Sequence, residues 1–217
     1  MDMELLAAQL RKPEGKTGIE VGIVMNKGNE LINLWTINEL HLQPYDLVLE
    51  IGMGNGLFVK DVLAAHPSIQ YTGCDYSDTM VEEAIRMNVN YIEKGHASFE
   101  MCTADNLPYA DNSFSKVFTV NTIYFWAEAK KELAEIRRVL KNDGLFVISV
   151  RTKDTMDQMP FTGFGFEKYT LEELKALLQK NGFRVISSYQ KKEPVYEFNG
   201  QQMSLENIVV SCRPAIH

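Results

Sequence analysis

One run of nine residues constrains the fold more than any other: VLEIGMGNG, from Val48 to Gly56. An apolar stretch suited to a buried strand gives way at once to glycines at 52, 54 and 56. Glycine accepts backbone angles that other residues resist, and it lets a ligand or another segment lie directly on the chain. A strand ending in such a turn fits an open, mostly parallel sheet, where ligands sit beyond the carboxyl ends of the strands. The spacing alone leaves two readings open: a tight packing turn, or a cradle for a nucleotide-type cofactor.

The rest of the chain repeats the strand–helix alternation. Strands are predicted over residues 46–51, 68–74, 98–103, 116–121 and 145–150. Helices are predicted over 57–65, 79–91 and 127–140, with Met80, Ala84, Ile85 and Met87 facing inward on the second. The third is expected to stop at KNDG, Lys141 to Gly144. Thr170 and Glu173 have the spacing of a capping box, opening a helix that Asn181-Gly182 ends near Lys180. Two final strands, 183–189 and 205–212, have no crossover helix between them, only a long polar loop, so they read as an antiparallel pair at one edge. Before the sheet, residues 2–10 and 21–42 read as mostly helical, with Asn29 as a cap. Residues 1–43 are taken as lid helices of the same domain, and 44–217 as its main body. The GKT at Gly15 to Thr17 is no phosphate loop, because Leu10 stands where the first glycine is needed and no strand precedes it.

Length and composition suit one globular unit: 217 residues, 45% apolar and 24% charged. The formal charge of -7 argues against a nucleic-acid partner, which would want a basic face. Cys74, Cys102 and Cys212 are isolated and odd in number, so they read as reduced thiols. No stretch is long and apolar enough for a membrane span, and the first residues lack a signal-peptide core. A cytoplasmic location is expected.

Two further acids bear on the glycine turn. Asp75 follows the second strand, where a carboxylate can accept both hydroxyls of a ribose. Asp105 follows the third, where it can meet the amine edge of adenine. Three successive strands ending in a glycine turn or an acid favour an adenosine cofactor over an ordinary turn. The dinucleotide pattern wants G-x-G-x-x-G, and here the third glycine comes one residue early. Glu50 beside the turn would repel a pyrophosphate and attract an ammonium or a sulfonium. Those charges favour S-adenosylmethionine.

LEIGMGNG, the acid at Asp75, ADNLPYADNSFSKV and RRVLKNDGLFVIS together resemble the class I S-adenosylmethionine-dependent methyltransferases, in particular their small-molecule "methyltransferase domain" group. The likeness spans residues 46–150 and extends more loosely to Cys212. It implies a Rossmann-like α/β fold: a mostly parallel seven-stranded sheet, helices on both faces, and an antiparallel last strand between the fifth and sixth. It implies S-adenosylmethionine as cofactor, held by Glu50, Gly52, Met53, Gly54, Asn55, Gly56, Asp75, Tyr76, Met80, Ala104, Asp105, Asn106, Asn121 and Thr122.

Methyl transfer by direct displacement chiefly needs the reacting atoms held in line and water kept out. Asn121 and Tyr124 are expected to position the acceptor, and His41 is weighed as a general base against a surface role. Met25, Asn29, Trp35, Tyr124, Trp126, Phe161, Phe164 and Tyr196 are expected to line an acceptor pocket. No dense His/Cys/Asp cluster suggests a metal. The expected partner is a small-molecule methyl acceptor, with a homodimer left open and neither membrane nor nucleic acid involved. The alternatives are a methyltransferase acting on protein or RNA, a non-catalytic binder of the same cofactor, and a dinucleotide-dependent oxidoreductase.

Overall fold

The computed structural model describes residues 2–198 and 201–215; the side chains of residues 196–198, 201 and 203 fall outside that description. Three helices come first: α1 (Met3–Arg11), α2 (Gly15–Gly28) and α3 (Glu30–Glu39). The alternating part follows as β1 (Leu47–Ile51), α4 (Val59–Leu63), β2 (Gln70–Asp75), α5 (Asp78–Met87), α6 (Val89–Glu93), β3 (Ala97–Met101), β4 (Phe114–Val120), α7 (Ala129–Val139) and β5 (Leu140–Arg151). The chain ends with α8 (Lys153–Asp157), α9 (Leu171–Lys180), β6 (Phe183–Lys192), a small hairpin of β7 (Tyr196–Phe198) and β8 (Gln201–Met203), and β9 (Glu206–Pro214).

Seven strands form one sheet in the order β3-β2-β1-β4-β5-β9-β6. The pairs among β1 to β5 are parallel, whereas β9 runs antiparallel to both β5 and β6. The expected architecture therefore holds, including the reversed last strand. The connection after β1 runs to β2 on one side, whereas β4, reached from β3, lies on the other side and continues to β5. That divergence opens a crevice at the carboxyl ends of these strands.

Alternation along the strands divides the core between the two faces. Leu49, Ile51, Phe146, Ile148 and Val150 pack with Leu133 and Ile136 of α7 and Leu174 and Leu178 of α9. Val48, Phe118, Leu145 and Val147 pack with Ile37 of α3 and with Val59 and Val62 of α4. Thr36 fixes α3 to the sheet, its hydroxyl 2.6 Å from that of Ser149. The predicted capping box is present on α9, with Thr170 and Glu173 satisfying each other's backbone.

Several local expectations need correction. The helix expected over 79–91 breaks at Asn88, whose amide donates to the carbonyls of Gly56 and Ala84. Ile85 and Met87 are exposed, and Val81 joins Met80 and Ala84 inside. α7 ends at Val139, next to the expected stop, but β5 starts already at Leu140 and not at 145, and residues 141–144 form an irregularity in its ladder with β4 between the pairs Phe114–Leu140 and Lys116–Leu145. The helical segment expected over 21–42 is two helices meeting at Asn29. That residue sits at the cap position of α3, but its side chain caps nothing there.

Candidate functional site

The crevice above β1 and β4 is a cavity of about 340 Å³, within the roughly 300–1,000 Å³ usual for small-molecule sites. The glycine turn forms its floor. Gly52 has φ +74°, and a Cβ there would run into Thr122 at 2.3 Å. Gly54 has φ +58°, and a Cβ there would meet nothing within 4 Å, so the turn presents bare backbone to open space. Gly56 (φ +70°) serves differently. Its missing side chain makes room for Asn88 and Ala84 of α5, so it packs the turn and does not border the cavity.

Two buried acids stand behind this floor. Asp75 binds the backbone amides of Gly54 at 3.0 Å and Ser77 at 2.9 Å. Burial raises its pKa, and the amides of Ser77, Gly54 and Tyr76 oppose the rise. Glu50 takes a 2.5 Å hydrogen bond from the Tyr71 hydroxyl. Burial holds its carboxyl up at about 7; that bond opposes the shift and the Asp75 charge adds to it. A neighbouring cation would reverse the shift.

Among the described residues, the carboxylic and basic side chains that line the cavity are Glu50, Asp75, Asp105, Glu132 and Arg11. Four carboxylates against one guanidinium suit a ligand with positive charge and hydrogen-bond donors. Asn55 Oδ1 and Glu132 Oε2 are buried, and neither has a hydrogen-bond partner among the described residues. Burying such acceptors is costly unless a donor meets them. S-adenosylmethionine fits these features, with its ribose hydroxyls, adenine amine, ammonium and sulfonium.

Beside β4 and β5 the cavity carries a hydrogen-bonded chain of amides. The backbone N–H of Arg151 donates to the Tyr124 oxygen at 2.6 Å, so that hydroxyl must donate onward, to Asn121 Oδ1 at 2.8 Å. Asn121 Nδ2 then donates to Asn29 Oδ1 at 3.1 Å, which also accepts from the Arg151 guanidinium at 3.2 Å. Donor-only groups at both ends fix the orientation of both amides. Asn121 holds this place with φ +57°, a conformation that asparagine tolerates better than most residues. Arg151 is itself buried and pairs with Glu193 at 3.1 Å, and its guanidinium also bonds the Gly28 carbonyl at 2.5 Å. It thereby ties the α2–α3 joint to the far side of the sheet.

Most of the expected cofactor set borders the cavity: Glu50, Gly52, Met53, Gly54 and Asn55 after β1, and Asp75, Tyr76 and Met80 after β2. Ala104 and Asp105 after β3, and Asn121 and Thr122 after β4, complete it. Asn106 does not border it; its backbone closes a tight turn onto Thr103. Of the expected acceptor residues, Met25, Asn29 and Trp126 line the wall. Tyr124 does not: it is 4% exposed, with its hydroxyl committed to the amide chain. Trp35 lies elsewhere, under the Lys191 ammonium at 4.2 Å. Phe161 packs on Phe166, and Phe164 is exposed, neither at the cavity. The Tyr196 side chain lies outside the described residues. His41 is exposed and precedes β1, at the opposite end of that strand from the cavity, which removes it from acid–base chemistry there.

Arg11, Glu132 and Arg151 escaped the sequence reading. Arg11 reaches across the cavity mouth, donating to the Gly165 carbonyl and lying over the Phe125 ring. Glu132 had a readable signal, since it shares the buried side of α7 with Leu133, Ile136 and Val139. Arg151 closes the apolar strand LFVISVR, an equally unusual place for a charge.

The family model described as a methyltransferase domain matches residues 49–148. The uncharacterized methyltransferase YdaC of Bacillus subtilis is 26% identical over 155 residues, covering 71% of this chain and 83% of its own. The O-methyltransferase resE of Aspergillus sclerotiorum is 27% identical over 146 residues, covering 64% of this chain and 55% of its own. The match spans 55% to 64% of four of the curated relatives, less than two thirds of each. Among solved structures, the complex between the Haloferax volcanii Trm112 methyltransferase activator and a methyltransferase gives a TM-score of 0.74 at 18% identity, covering 89% of this chain and 94% of the other. Sheet order, glycine turn, acid placement and these likenesses agree: residues 49–148 form a methyltransferase domain, and the chain has the Rossmann-like fold of the class I S-adenosylmethionine-dependent methyltransferases.

Proposed function

We propose that this chain transfers the methyl group of S-adenosylmethionine to an oxygen of a small-molecule acceptor. The observation that carries the reading is the polarity of the cavity, acidic at the glycine turn and lined by oriented amides at Asn29 and Asn121. Bound there, the cofactor supplies a methyl group on a positively charged sulfur, an excellent leaving group. The residues of the chain do the holding. Asp75 takes the ribose, and the bare backbone at Gly54 lets the ligand lie close. The cationic end of the ligand favours the ionised form of Glu50, whose carboxyl burial otherwise holds up at about 7. Asn121 Oδ1 is taken by Tyr124 and one Nδ2 hydrogen by Asn29, so the amide has only its second N–H to offer the acceptor. An oxygen with free lone pairs suits it better than a protonated amine. The resE relative, named an O-methyltransferase, supports the same preference.

Tyr124 and Arg151 are positioning residues in this scheme, acting through Asn121 and Asn29. The helices α1 and α2 contribute Leu10, Arg11, Gly22 and Met25 to the wall, and we assign them the role of a lid that excludes water.

The test uses S-adenosylmethionine carrying a labelled methyl group, offered with separate sets of phenols, carboxylic acids and amines. Label in the oxygen-bearing sets is expected, with strong loss in Asn121→Asp, which replaces the donor by a carboxylate. Label confined to amines would overturn the oxygen preference. Cofactor binding without transfer to any set would count against a small-molecule enzyme.

A further inference from the structure

Glu132 presents a carboxylate oxygen that nothing in the scheme above uses. It lines the cavity, is 5% exposed, and its Oε2 has no hydrogen-bond partner among the described residues. Its other oxygen lies 3.5 Å from the Glu128 amide, at the limit of a hydrogen bond. Its place follows from α7. One turn further along the same face, Glu135 accepts from the Leu107 amide at 3.0 Å. One turn beyond that, Arg138 donates to the Leu107 carbonyl at 2.9 Å and the Tyr109 carbonyl at 2.6 Å. Helix positions three apart share a face, so Glu132 continues a row of contacts against the segment after β3. That segment supplies Ala104 and Asp105 to the cavity.

If the ribose sits on Asp75, the base extends toward this segment. Adenine carries an exocyclic amine with two N–H donors. Asp105, the acid first expected to meet it, is exposed at the rim, whereas Glu132 is buried inside. A buried carboxylate forms the stronger and more selective bond, because water cannot replace the missing donor. We propose that Glu132 Oε2 accepts a hydrogen bond from the exocyclic amine of the cofactor's adenine and makes the site selective for adenine over a base with a carbonyl there. This rests on the cofactor reading given above.

The test is calorimetric titration with S-adenosylhomocysteine and with its deaminated, hypoxanthine-bearing analogue. The wild-type chain should prefer the adenine form by about 10- to 100-fold, the range of a hydrogen bond to a charged acceptor. Glu132→Leu should bind the adenine form more weakly and bring the ratio close to one, while Asp105→Ala should keep it. A ratio unchanged in Glu132→Leu, or abolished in Asp105→Ala, would overturn the proposal. Should circular dichroism show Glu132→Leu unfolded, Glu132→Gln decides: a reduced ratio supports the role, and an unchanged one refutes it. A wild-type chain that binds neither form would bring down the cofactor reading together with this one.

Discussion

The two halves of the cavity are built in opposite ways. The cofactor half is assembled from short local pieces, each a turn directly after its strand, with the Gly54 amide bonded to Asp75 and Glu50 bonded to Tyr71 on the neighbouring strand. The acceptor half is a relay across the chain, from Asn29 through Asn121 and Tyr124 to Arg151 and Glu193. Damage to the first should show in ligand binding with the fold intact. Damage to the second should show in stability and in transfer, because its members support the sheet as well as the site.

The largest effect is expected from Arg151→Met. It leaves Glu193 without its guanidinium in a place where both side chains are at most 10% exposed, a loss of about 3–5 kcal/mol when one member of a buried pair is removed. Urea denaturation would measure it, and adding Glu193→Met should restore much of the loss. Gly54→Val is next and should behave in reverse, with a folded chain and no detectable binding of S-adenosylhomocysteine. Its stability should fall only by the ~1–2 kcal/mol that a side chain costs in left-handed backbone. If stability collapses and binding persists, the division between the halves is wrong.

Asp75→Ala should weaken cofactor binding by about 1–3 kcal/mol and leave acceptor selectivity alone. Tyr124→Phe sharpens the contrast from the other side. It removes the hydroxyl that orients Asn121, at a cost in stability of about 1–2 kcal/mol for an orphaned buried group. Cofactor affinity should hold while the transfer rate falls; equal losses in both would place Tyr124 with the cofactor. A further effect is confined to a pH window. The unfolded Glu50 carboxyl ionises near its ordinary value, while the folded one keeps its proton up to about 7. The ligand-free chain therefore loses stability as pH rises through that window. Glu50→Gln should stabilise it at pH 8, not at pH 4, and should weaken cofactor binding most at pH 8. A melting temperature that responds equally at both pH values would contradict the assignment.

The same contrast explains what the sequence could tell. The strand–helix alternation, the edge pair and the cofactor half were legible because strand period, glycine spacing and an acid after the second and third strands are local patterns; the place of the last strand came from the resemblance. The relay was not, since nothing near Asn29 announces Arg151, 122 positions away. Tyr124 and Trp35 were read as acceptor contacts because aromatic residues in loops and lid helices beside the glycine turn suggest a pocket. In the fold Tyr124 turns into the sheet, and Trp35 pairs with Lys191 on β6. Of the two roles expected of Asn29, the place on the cavity wall holds and the cap does not, since its side chain faces the relay and not the free amides of α3. Glu132 and Arg151 do carry a sequence signal: each is a charge set on a stripe or strand that is otherwise apolar.

Titration of the wild-type chain and of Gly54→Val with S-adenosylhomocysteine at pH 8 tests the acidic cradle itself. One-to-one binding by the wild-type chain, absent from a folded Gly54→Val, is the expected result. No binding by the wild-type chain, or equal binding by both, would mean that the turn from Gly52 to Gly56 does not hold this ligand.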